Sequence, residues 1–294
     1  MSTYNGEKYL QPQLDSILAQ KGVRVSILVR DDGSTDNTLK ILKQYKKQGK
    51  LNYYTGPNLG PAKSFMVLIH KAPESEYYAL SDQDDVWDTD KLMQAVKLLN
   101  HANKEKPCLY CGVTREVDKN LQIKRSKTTK YSLEPGFLCG EPLSVSGCTM
   151  VFNKILKKLL EQHFPIAFEM HDSWIKKVCS AVAGDIVFDP TPHMMYRQHD
   201  KNVIGGRKGF IKAILRRIDM HKKMGRNFCK RRYLEILDAY RQYMPQENVD
   251  RCTLICSYDL SLKNKLKVLR CKEFWRGRLR YKIYIFLLIM LNRY

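Results

Sequence analysis

Three carboxylates lie within four consecutive residues of this 294-residue chain, at Asp82, Asp84 and Asp85. They follow an apolar run, residues 77–80, that predicts a buried strand, and they precede residues 90–100, which predict a helix with one apolar face. Carboxylates crowded at a strand end repel one another unless a cation lies between them. Such oxygen ligands suit Mg²⁺ or Mn²⁺ completed by substrate phosphates. An acidic loop that binds no cation is the alternative that so short a stretch leaves open.

The elements that must position these carboxylates alternate along the N-terminal part of the chain. Strands are predicted at residues 23–29, 51–54 and 77–80, and helices at residues 9–18, 39–45 and 62–72. This alternation is typical of a parallel sheet covered by helices, which binds ligands outside the carboxyl ends of its strands. Polar clusters lie at four such ends, at residues 3–6, 31–36, 56–60 and 82–85. We therefore expect four loops to form one site.

In their order and spacing these clusters resemble the inverting glycosyltransferases of family two, which have the GT-A fold. The motifs are Thr-Tyr-Asn-Gly at residues 3–6, Arg-Asp-Asp-Gly-Ser-Thr-Asp at 30–36, Asn-Leu-Gly at 58–60 and Ser-Asp-Gln-Asp-Asp-Val-Trp at 81–87. Three later motifs, at residues 147–153, 171–174 and 196–199, are similar to the branch that contains bacterial rhamnosyltransferases of surface polysaccharide synthesis. The resemblance implies an α/β fold with a mostly parallel nucleotide-binding sheet flanked by helices.

One departure from the family concerns the first strand. Family members carry an apolar strand directly before the Thr-Tyr-Asn-Gly motif, and here only Met1 and Ser2 precede it. A shortened first strand would deprive its neighbour of ladder hydrogen bonds. We therefore expect the natural start to lie a few residues upstream.

The resemblance implies that the donor, a nucleotide sugar, is bound by residues of these motifs and of the segments next to them. They are Thr3, Tyr4, Asn5, Asp31, Asp32, Asn58, Gly60, Lys63, Asp82, His171, Trp174 and Arg197. A carboxylate such as Asp31 or Asp32 can accept the imide N–H of uracil or thymine and a ribose hydroxyl. Gly60 permits close approach of the backbone to a ligand, and Lys63 could meet a phosphate. The structural alternatives are a core-lining Tyr4, a helix cap within residues 31–36 and a solvated Lys63.

The resemblance also implies the metal and the catalytic base. Asp82, Asp84, Asp85 and His199 are the expected ligands of Mg²⁺ or Mn²⁺, and the double aspartate leaves open which of them holds the ion. An inverting transfer needs one carboxylate to take the proton of the acceptor hydroxyl as its oxygen attacks the anomeric carbon. Asp172, at the start of a predicted helix, has the position that similar enzymes use. A helix-capping aspartate is the alternative.

Charge divides the chain into two segments. Residues 207–294 hold 23 of the 51 lysines and arginines but only 7 of the 30 acidic residues, a net charge of +16 out of +21. We predict a GT-A catalytic domain at residues 1–206 and a basic helical extension at residues 207–294. A basic stretch that ends in the apolar run 283–291 fits attachment to an anionic membrane surface. Helices that pack on the catalytic domain with solvated charges are the alternative, and no nucleic-acid motif is present.

The sequence also predicts a cellular compartment and a function. Nine cysteines without a disulfide framework, and no signal peptide after Met1, predict reduced thiols in a cytoplasmic protein bound to the inner face of the membrane. We expect an enzyme that transfers L-rhamnose from dTDP-L-rhamnose to a lipid-linked saccharide. The alternatives are a UDP-hexose or UDP-N-acetylhexosamine donor, and a non-catalytic nucleotide- or membrane-binding protein of the same fold.

Overall fold

The computed structural model describes residues 1–126, 146–199, 225, 227–271 and 279–294. The strands are β1 Ser2–Thr3, β2 Leu28–Asp31, β3 Asn52–Thr55, β4 Tyr77–Ala79, β5 Val86–Trp87, β6 Cys108–Gly112, β7 Arg115–Val117, β8 Ile123–Ser126, β9 Val151–Asn153, β10 Asp185–Asp189 and β11 Met194–Arg197. The helices are α1 Leu10–Leu18, α2 Thr38–Lys47, α3 Gly60–Lys71, α4 Lys91–His101, α5 Lys154–Leu160, α6 His171–Ala181, α7 Phe228–Tyr240, α8 Gln246–Cys256, α9 Leu262–Arg270 and α10 Leu279–Met290. Elements up to α4 follow the predicted order within a few residues.

The first three strands form the predicted parallel arrangement. They lie in the order β1-β2-β3, with Thr3 paired to Asp31 and Asp31 paired to Thr55 at their carboxyl ends. The second strand was predicted at residues 23–29 but begins at Leu28, because its ladder with β3 starts at the pair Leu28 and Asn52. The carboxyl ends of β1 to β3 therefore meet at one edge of the sheet, which positions their loops side by side.

The remaining strands are mixed in direction. One sheet has the order β10-β6-β9-β4, in which β9 runs antiparallel to both neighbours, and another has the order β5-β11-β7-β8. In the latter, β11 is parallel to β7 and antiparallel to β5. The parallel character predicted from the N-terminal residues thus holds for β1 to β3, β6 with β10, and β7 with β11.

The described helices of the basic segment share their core with the rest of the molecule. Tyr233 and Tyr240 of α7 are fully buried in the same apolar cluster as Phe152 of β9 and Trp174 of α6. The cluster continues through α8 and α9 to Ile289 of α10. The basic helical extension predicted for residues 207–294 stays a prediction as a division of the chain. Its described helices join this core through the contact of α7 with α6, because they carry large apolar side chains at helical spacing.

Two further predictions can be compared with the structure. Residues 207–224 of the basic extension lie outside the described residues, so their predicted helical structure stays a prediction. The eight cysteines within the described residues are free thiols, and Cys108 and Cys111 are buried on β6 as structural residues. Among the described helices, none combines the length and the apolar character that crossing a bilayer requires.

Candidate active site

The loops after β1 and β2 are joined by side-chain hydrogen bonds to the backbone. The Asn5 Oδ1 atom accepts a hydrogen bond of 2.8 Å from the Thr35 N–H, and the Asn5 N–H donates to Ser34 Oγ at 2.9 Å. Asn5 has a φ of 47°, in the left-handed region that asparagine tolerates better than most residues. The side chain of Asn5 therefore holds the two loops together, and Thr3 does so as well because its buried hydroxyl donates to Asp31.

Asp31 organises the turn that follows β2. Its carboxylate is fully buried and accepts four hydrogen bonds, from the Thr3 hydroxyl, the Gly33 N–H, and the N–H and hydroxyl of Ser34. These bonds occupy both carboxylate oxygens and fix the loop in which the neighbouring Asp32 lies. Helix α2 follows this loop, and Asp36 Oδ1 accepts from the N–H of Thr38, the first residue of the helix, at 3.0 Å. The residue directly before the helix is Asn37, whose side chain forms no cap hydrogen bond.

Asp32 joins the loop after β2 to the loop after β3. Its carboxylate forms an ion pair with Arg30 and accepts hydrogen bonds from the N–H groups of Leu59, at 3.0 Å, and Gly60, at 2.8 Å. Asn58 closes the same turn, since its Oδ1 accepts from the Gly60 N–H at 3.1 Å. Gly60 has a φ of 74°, and a Cβ atom there would meet no atom within 4 Å. The turn thus leaves open space beside its backbone, as expected for a loop approached by a ligand.

Gln83 connects the acidic loop to the first loop. Its Oε1 accepts from the Tyr4 N–H at 2.9 Å, its Nε2 donates to the Tyr4 carbonyl at 3.1 Å, and its side chain covers Gly6. The Asp32 N–H donates to the Thr3 carbonyl at 2.8 Å. All four polar clusters are therefore linked into one group of loops. The side chain of Tyr4 is 46% exposed at this junction, so its ring is available to a base.

The carboxylates of the acidic loop are close enough to disturb one another. Burial raises the pKa of Asp82 to about 7, with further contributions from the negative charges of Asp84 and Asp172. Burial and the negative charges of Asp82 and Asp84 raise the pKa of Asp85 well above its usual range. Asp172 belongs to α6, about 90 residues further along the chain, so the fold brings a carboxylate from a separate element to the acidic loop.

The acidic loop and a buried cysteine meet the requirements of a cation site. Ligand atoms of Asp82, Asp85 and Cys148 lie within 4.8 Å of one another. The Oδ2 atom of Asp85 is buried and has no hydrogen-bond partner, although a buried carboxylate oxygen without a partner is costly. Carboxylates that repel one another around an unsatisfied oxygen fit a divalent cation. The described residues therefore offer acidic groups that could bind such an ion.

Arg197 at the end of β11 and His199 just after it hold the acidic loop. His199 Nε2 lies 2.6 Å from Asp84 Oδ2, and its ring stacks on that of Tyr9 with centroids 5.1 Å apart. Arg197 is buried, and its Nε donates to the Asp84 carbonyl at 2.8 Å while its N–H donates to Asp85 Oδ1 at 3.2 Å. His199 thus lies beside the predicted metal ligands. Arg197 was predicted to bind the nucleotide sugar, and its described contacts are with the protein instead, because the guanidinium is buried under the loop.

The motif at the start of α6 contains one accessible acid and two buried residues. Asp172 is half-buried in the first turn, where the helix dipole favours a negative charge. Trp174 is fully buried, with its ring 6.4 Å from that of Tyr240, and His171 is 3% exposed against the ring of Phe65 at 4.1 Å. A direct contact of His171 or Trp174 with the donor was predicted and is at odds with this burial. Both side chains belong to the core that supports α6.

Lys63 is exposed in the first turn of α3, and within the described residues no contact of its side chain defines a role. Several residues that the motifs did not single out also shape the site. The Tyr9 ring stacks on the ring of His199 and lies against the guanidinium of Arg197. Gln83 joins the acidic loop to the loop after β1, and Cys148 lies beside Asp82 and Asp85. Gln83 lies within the acidic motif and Cys148 within the motif at residues 147–153. Both stretches were singled out, but their spacing along the chain does not indicate that Cys148 lies beside Asp85.

A second acidic group in the described part of the chain is already balanced. Ligand atoms of Asp88, Asp90 and His193 lie within 4.8 Å of one another. Arg115 forms an ion pair with Asp88, and His193 Nε2 lies 3.2 Å from Asp189 Oδ2. Because a fixed guanidinium already neutralises this group, we assign the cation site to the loop that contains Asp82 and Asp85.

Comparisons with known proteins point in one direction. The model of the family described as glycosyl transferase family 2 matches residues 1–160. Over 99% of this chain and 99% of its own length, a Shigella flexneri protein named dTDP-rhamnosyl transferase RfbG is 29% identical. The uncharacterized glycosyltransferase MJ1057 of Methanocaldococcus jannaschii is 27% identical over 79% of this chain and 81% of its own length.

Solved structures show a similar fold. The crystal structure of S. aureus TarS residues 1–349 in complex with UDP-GlcNAc superposes with a TM-score of 0.59, covering 98% of this chain and 79% of that one at 17% identity. Another crystal structure of TarS 1–349 gives a TM-score of 0.56, covering 91% of this chain and 77% of that one at 18% identity. At such identities the likeness concerns the fold alone, and it supports the predicted GT-A architecture. The family match ends before Asp172 and His199, so the roles of these two residues rest on their positions.

Proposed function

Because the chain belongs to glycosyl transferase family 2, we propose that it transfers one sugar, with inversion, from a nucleoside diphosphate donor to a hydroxyl group of an acceptor saccharide. The observation that carries this proposal is the group formed by Asp82, Asp85 and Cys148, whose ligand atoms lie within 4.8 Å of one another at the acidic loop, which Gln83 joins to the loop after β1. The negative charge of Asp172 acts on the same loop, where burial is the main cause of the raised pKa of Asp82. A cation-binding loop for the diphosphate and a carboxylate from a separate helix are the two parts that such a transfer requires.

The proposed reaction assigns a role to each group. The Asp172 carboxylate takes the proton of the acceptor hydroxyl as that oxygen forms a bond to the anomeric carbon of the donor. The bond from this carbon to the diphosphate breaks at the opposite face, and its electron pair stays on the diphosphate oxygen. Asp82, Asp84, Asp85 and His199 would hold Mg²⁺ or Mn²⁺, which as a Lewis acid neutralises charge on the diphosphate. No covalent intermediate with the protein is needed.

The binding of the nucleoside is assigned to the first three loops. Asp32 lies where the turns after β2 and β3 meet, and Tyr4 exposes its ring at the neighbouring junction. We propose that Tyr4 stacks on the base. Asp32 borders the pocket without accepting the imide N–H that was predicted for it, because its carboxylate is buried and already accepts from Arg30 and from the N–H groups of Leu59 and Gly60. Asp31, Asn5 and Thr3 support this pocket through the loop hydrogen bonds, and Asn58, Gly60 and Lys63 border the side on which phosphates would lie.

The proposed donor is dTDP-L-rhamnose. The relative from Shigella flexneri, which aligns along the full length of this chain, is named a dTDP-rhamnosyl transferase. TarS was solved with UDP-GlcNAc, but its 17% identity supports the fold only. A UDP-hexose or UDP-N-acetylhexosamine donor remains the alternative. We further propose that the acceptor is a lipid-linked saccharide of surface polysaccharide synthesis, met at the cytoplasmic face of the membrane.

A donor panel with matched variants tests the proposal. Purified protein with Mn²⁺ is incubated with dTDP-rhamnose, UDP-glucose, UDP-galactose or UDP-N-acetylglucosamine, and release of nucleoside diphosphate is measured. We expect turnover with dTDP-rhamnose and a loss of about 10²- to 10⁴-fold in Asp172→Asn. Asp250→Asn, which changes an exposed aspartate of α8, is the control and should keep full activity.

Each contrary outcome has a definite meaning. Turnover with a UDP sugar alone would replace the proposed donor and leave the chemistry intact. Binding of donor and Mn²⁺ without turnover, together with an Asp172→Asn variant that behaves like the native chain, would favour a non-catalytic binding protein of the same fold.

A further inference from the structure

The last helix of the chain, α10, has apolar residues on both of its faces. On the inner face Ile285 and Ile289 are 2% and 0% exposed and join the shared core. The outer face carries Ile283, Phe286, Leu287 and Met290, and Leu291 directly after the helix continues it, with exposures of 52%, 40%, 49%, 39% and 63%. Their spacing, i, i+3, i+4, i+7 and i+8, places them on one stripe of the helix. Single exposed apolar residues are ordinary, whereas a contiguous stripe indicates an interaction surface.

The neighbouring helix α9 extends this stripe and surrounds it with positive charge. Lys265 Nζ donates to the Met290 carbonyl at 3.2 Å, which joins the two helices. Leu262 and Leu266 of α9 are 63% and 43% exposed. They alternate with three exposed basic residues of the same helix. These are Lys263, Lys267 and Arg270.

Charge selects the kind of partner that this α9–α10 face fits. The sequences of α9 and α10 contain six lysines and arginines and no acidic residue. A protein partner or a second copy of this chain could cover the apolar stripe, but a second copy would bring the same positive charges together. Nucleic acid would match the charge and leave the aliphatic side chains in water, because it is bound through phosphate contacts and base stacking. An anionic lipid surface accommodates both features.

We propose that the α9–α10 face lies in the interface of an anionic lipid bilayer. The apolar side chains enter the boundary between headgroups and acyl chains, and the basic residues of α9 contact the headgroups. The proposal deepens the proposed function, on which it rests for the lipid-linked acceptor that would be met at that surface. It also narrows the membrane attachment predicted for residues 207–294 to a smaller surface, because among the described helices of that segment α9 and α10 expose these apolar residues, whereas Tyr233 of α7 and Ile255 of α8 are fully buried.

Vesicle binding tests the surface directly. The full chain is sedimented with vesicles of phosphatidylcholine alone or of phosphatidylcholine with phosphatidylserine. We expect binding to the anionic vesicles and a weakening of about 25-fold in a Phe286→Ser, Leu287→Ser double variant, since each half-exposed side chain contributes about a fivefold factor on insertion. Ile166→Ser, which changes an 85% exposed residue outside this face, is the matched control and should bind like the native chain.

A pair of charge reversals tests the electrostatic part. In Lys263→Glu, Lys267→Glu we expect a loss of at least about 25-fold on anionic vesicles, because each basic residue near the surface contributes about a fivefold factor. Lys43→Glu, Lys47→Glu on α2 has the same spacing and exposure and should bind unchanged. Equal binding of the native chain to neutral and anionic vesicles would overturn the charge argument, and the proposal with it.

The remaining outcomes separate this inference from the proposed function. Diphosphate release from the donor in the absence of vesicles should be the same in all these variants, because no changed residue lies in the site. Vesicle binding without donor turnover would support the surface while the proposed function fails. Lack of binding to anionic vesicles would overturn the surface, as would a native dimer that the Phe286→Ser, Leu287→Ser change dissociates, since a second copy would then cover the face.

Discussion

Glu235 of α7 connects a helix of the basic segment to the loop that leads into Asp172. One carboxylate oxygen accepts from the Ile166 N–H at 2.6 Å and lies 2.5 Å from His163 Nε2, and the other accepts from the Ala167 N–H at 2.8 Å. The carboxylate is 11% exposed. Because α6 begins directly after this loop, its anchor in α7 influences where the proposed base lies.

Glu235→Ala removes the acceptor for all three donors. A hydrogen bond to a charged group contributes about 1.5–3 kcal/mol, and water can replace part of the loss where the loop is exposed. We therefore expect a destabilisation of about 3 kcal/mol for the alanine variant, and about half as much for Glu235→Gln, which keeps one acceptor oxygen. The rate at which the enzyme turns over the proposed donor should also fall in Glu235→Ala, under conditions in which the variant stays folded. The reason is that the start of α6, which carries Asp172, loses its fixed position.

Urea unfolding followed by circular dichroism measures the first effect, and diphosphate release measures the second. Glu247→Ala is the matched control, since this glutamate on α8 is 70% exposed and pairs with Arg251 within the helix. Exposed pairs of this kind contribute about 0.5 kcal/mol or less. If Glu235→Ala unfolded at the same urea concentration as Glu247→Ala, the loop would not be held by α7 and the reasoning would be refuted.

Three other predictions concern the core, a cap and the cation. Burial lowers the pKa of His171 to about 3, so the unfolded chain binds a proton at a pH at which the folded chain does not. The free energy of unfolding should therefore fall as the pH drops below about 6.5, by about 2 kcal/mol at pH 5. In His171→Asn, unfolding measurements should no longer show this dependence on pH. Asn153 caps α5 because its Oδ1 accepts from the Leu156 N–H at 3.0 Å, and the same oxygen accepts from the Cys108 N–H of β6 at 3.0 Å. Asn153→Ala should therefore lower the free energy of unfolding by about 2–3 kcal/mol. Mn²⁺ at a hundredfold excess over its Kd should stabilise the native chain by about 2.7 kcal/mol in thermal unfolding, and Asp84→Ala should abolish this gain.

Each of these has an outcome that contradicts it. An unchanged acid slope in His171→Asn would mean that another group titrates. If Asn153→Ala lowered the free energy of unfolding by less than an exposed alanine substitution such as Gln48→Ala, water would have replaced the hydrogen bonds of the Asn153 side chain. An undiminished Mn²⁺ effect in Asp84→Ala would move the cation to other ligands.

Local sequence determined the order of elements and the loops that carry the site. Apolar periodicity indicated the helices and strands up to α4, and short polar motifs at the strand ends indicated a common edge, because parallel strands end on the same side of a sheet. The resemblance of those motifs predicted the family and the GT-A fold, which the family match and the fold comparisons confirm. These features depend on residues close together in the chain, so spacing alone reveals them.

The tertiary structure decided which side chains of a motif face a ligand and which face the core. His171 and Trp174 flank Asp172 in one short motif, yet the packing of α6 against α3 and α7 buries the first two and leaves the acid half-exposed. Arg197 is likewise buried by tertiary packing, and its side chain donates to the backbone of the acidic loop. The helices of the basic segment joined the shared core because their large apolar side chains complete it. Burial depends on partners that are distant in the chain, and no local pattern specifies those partners.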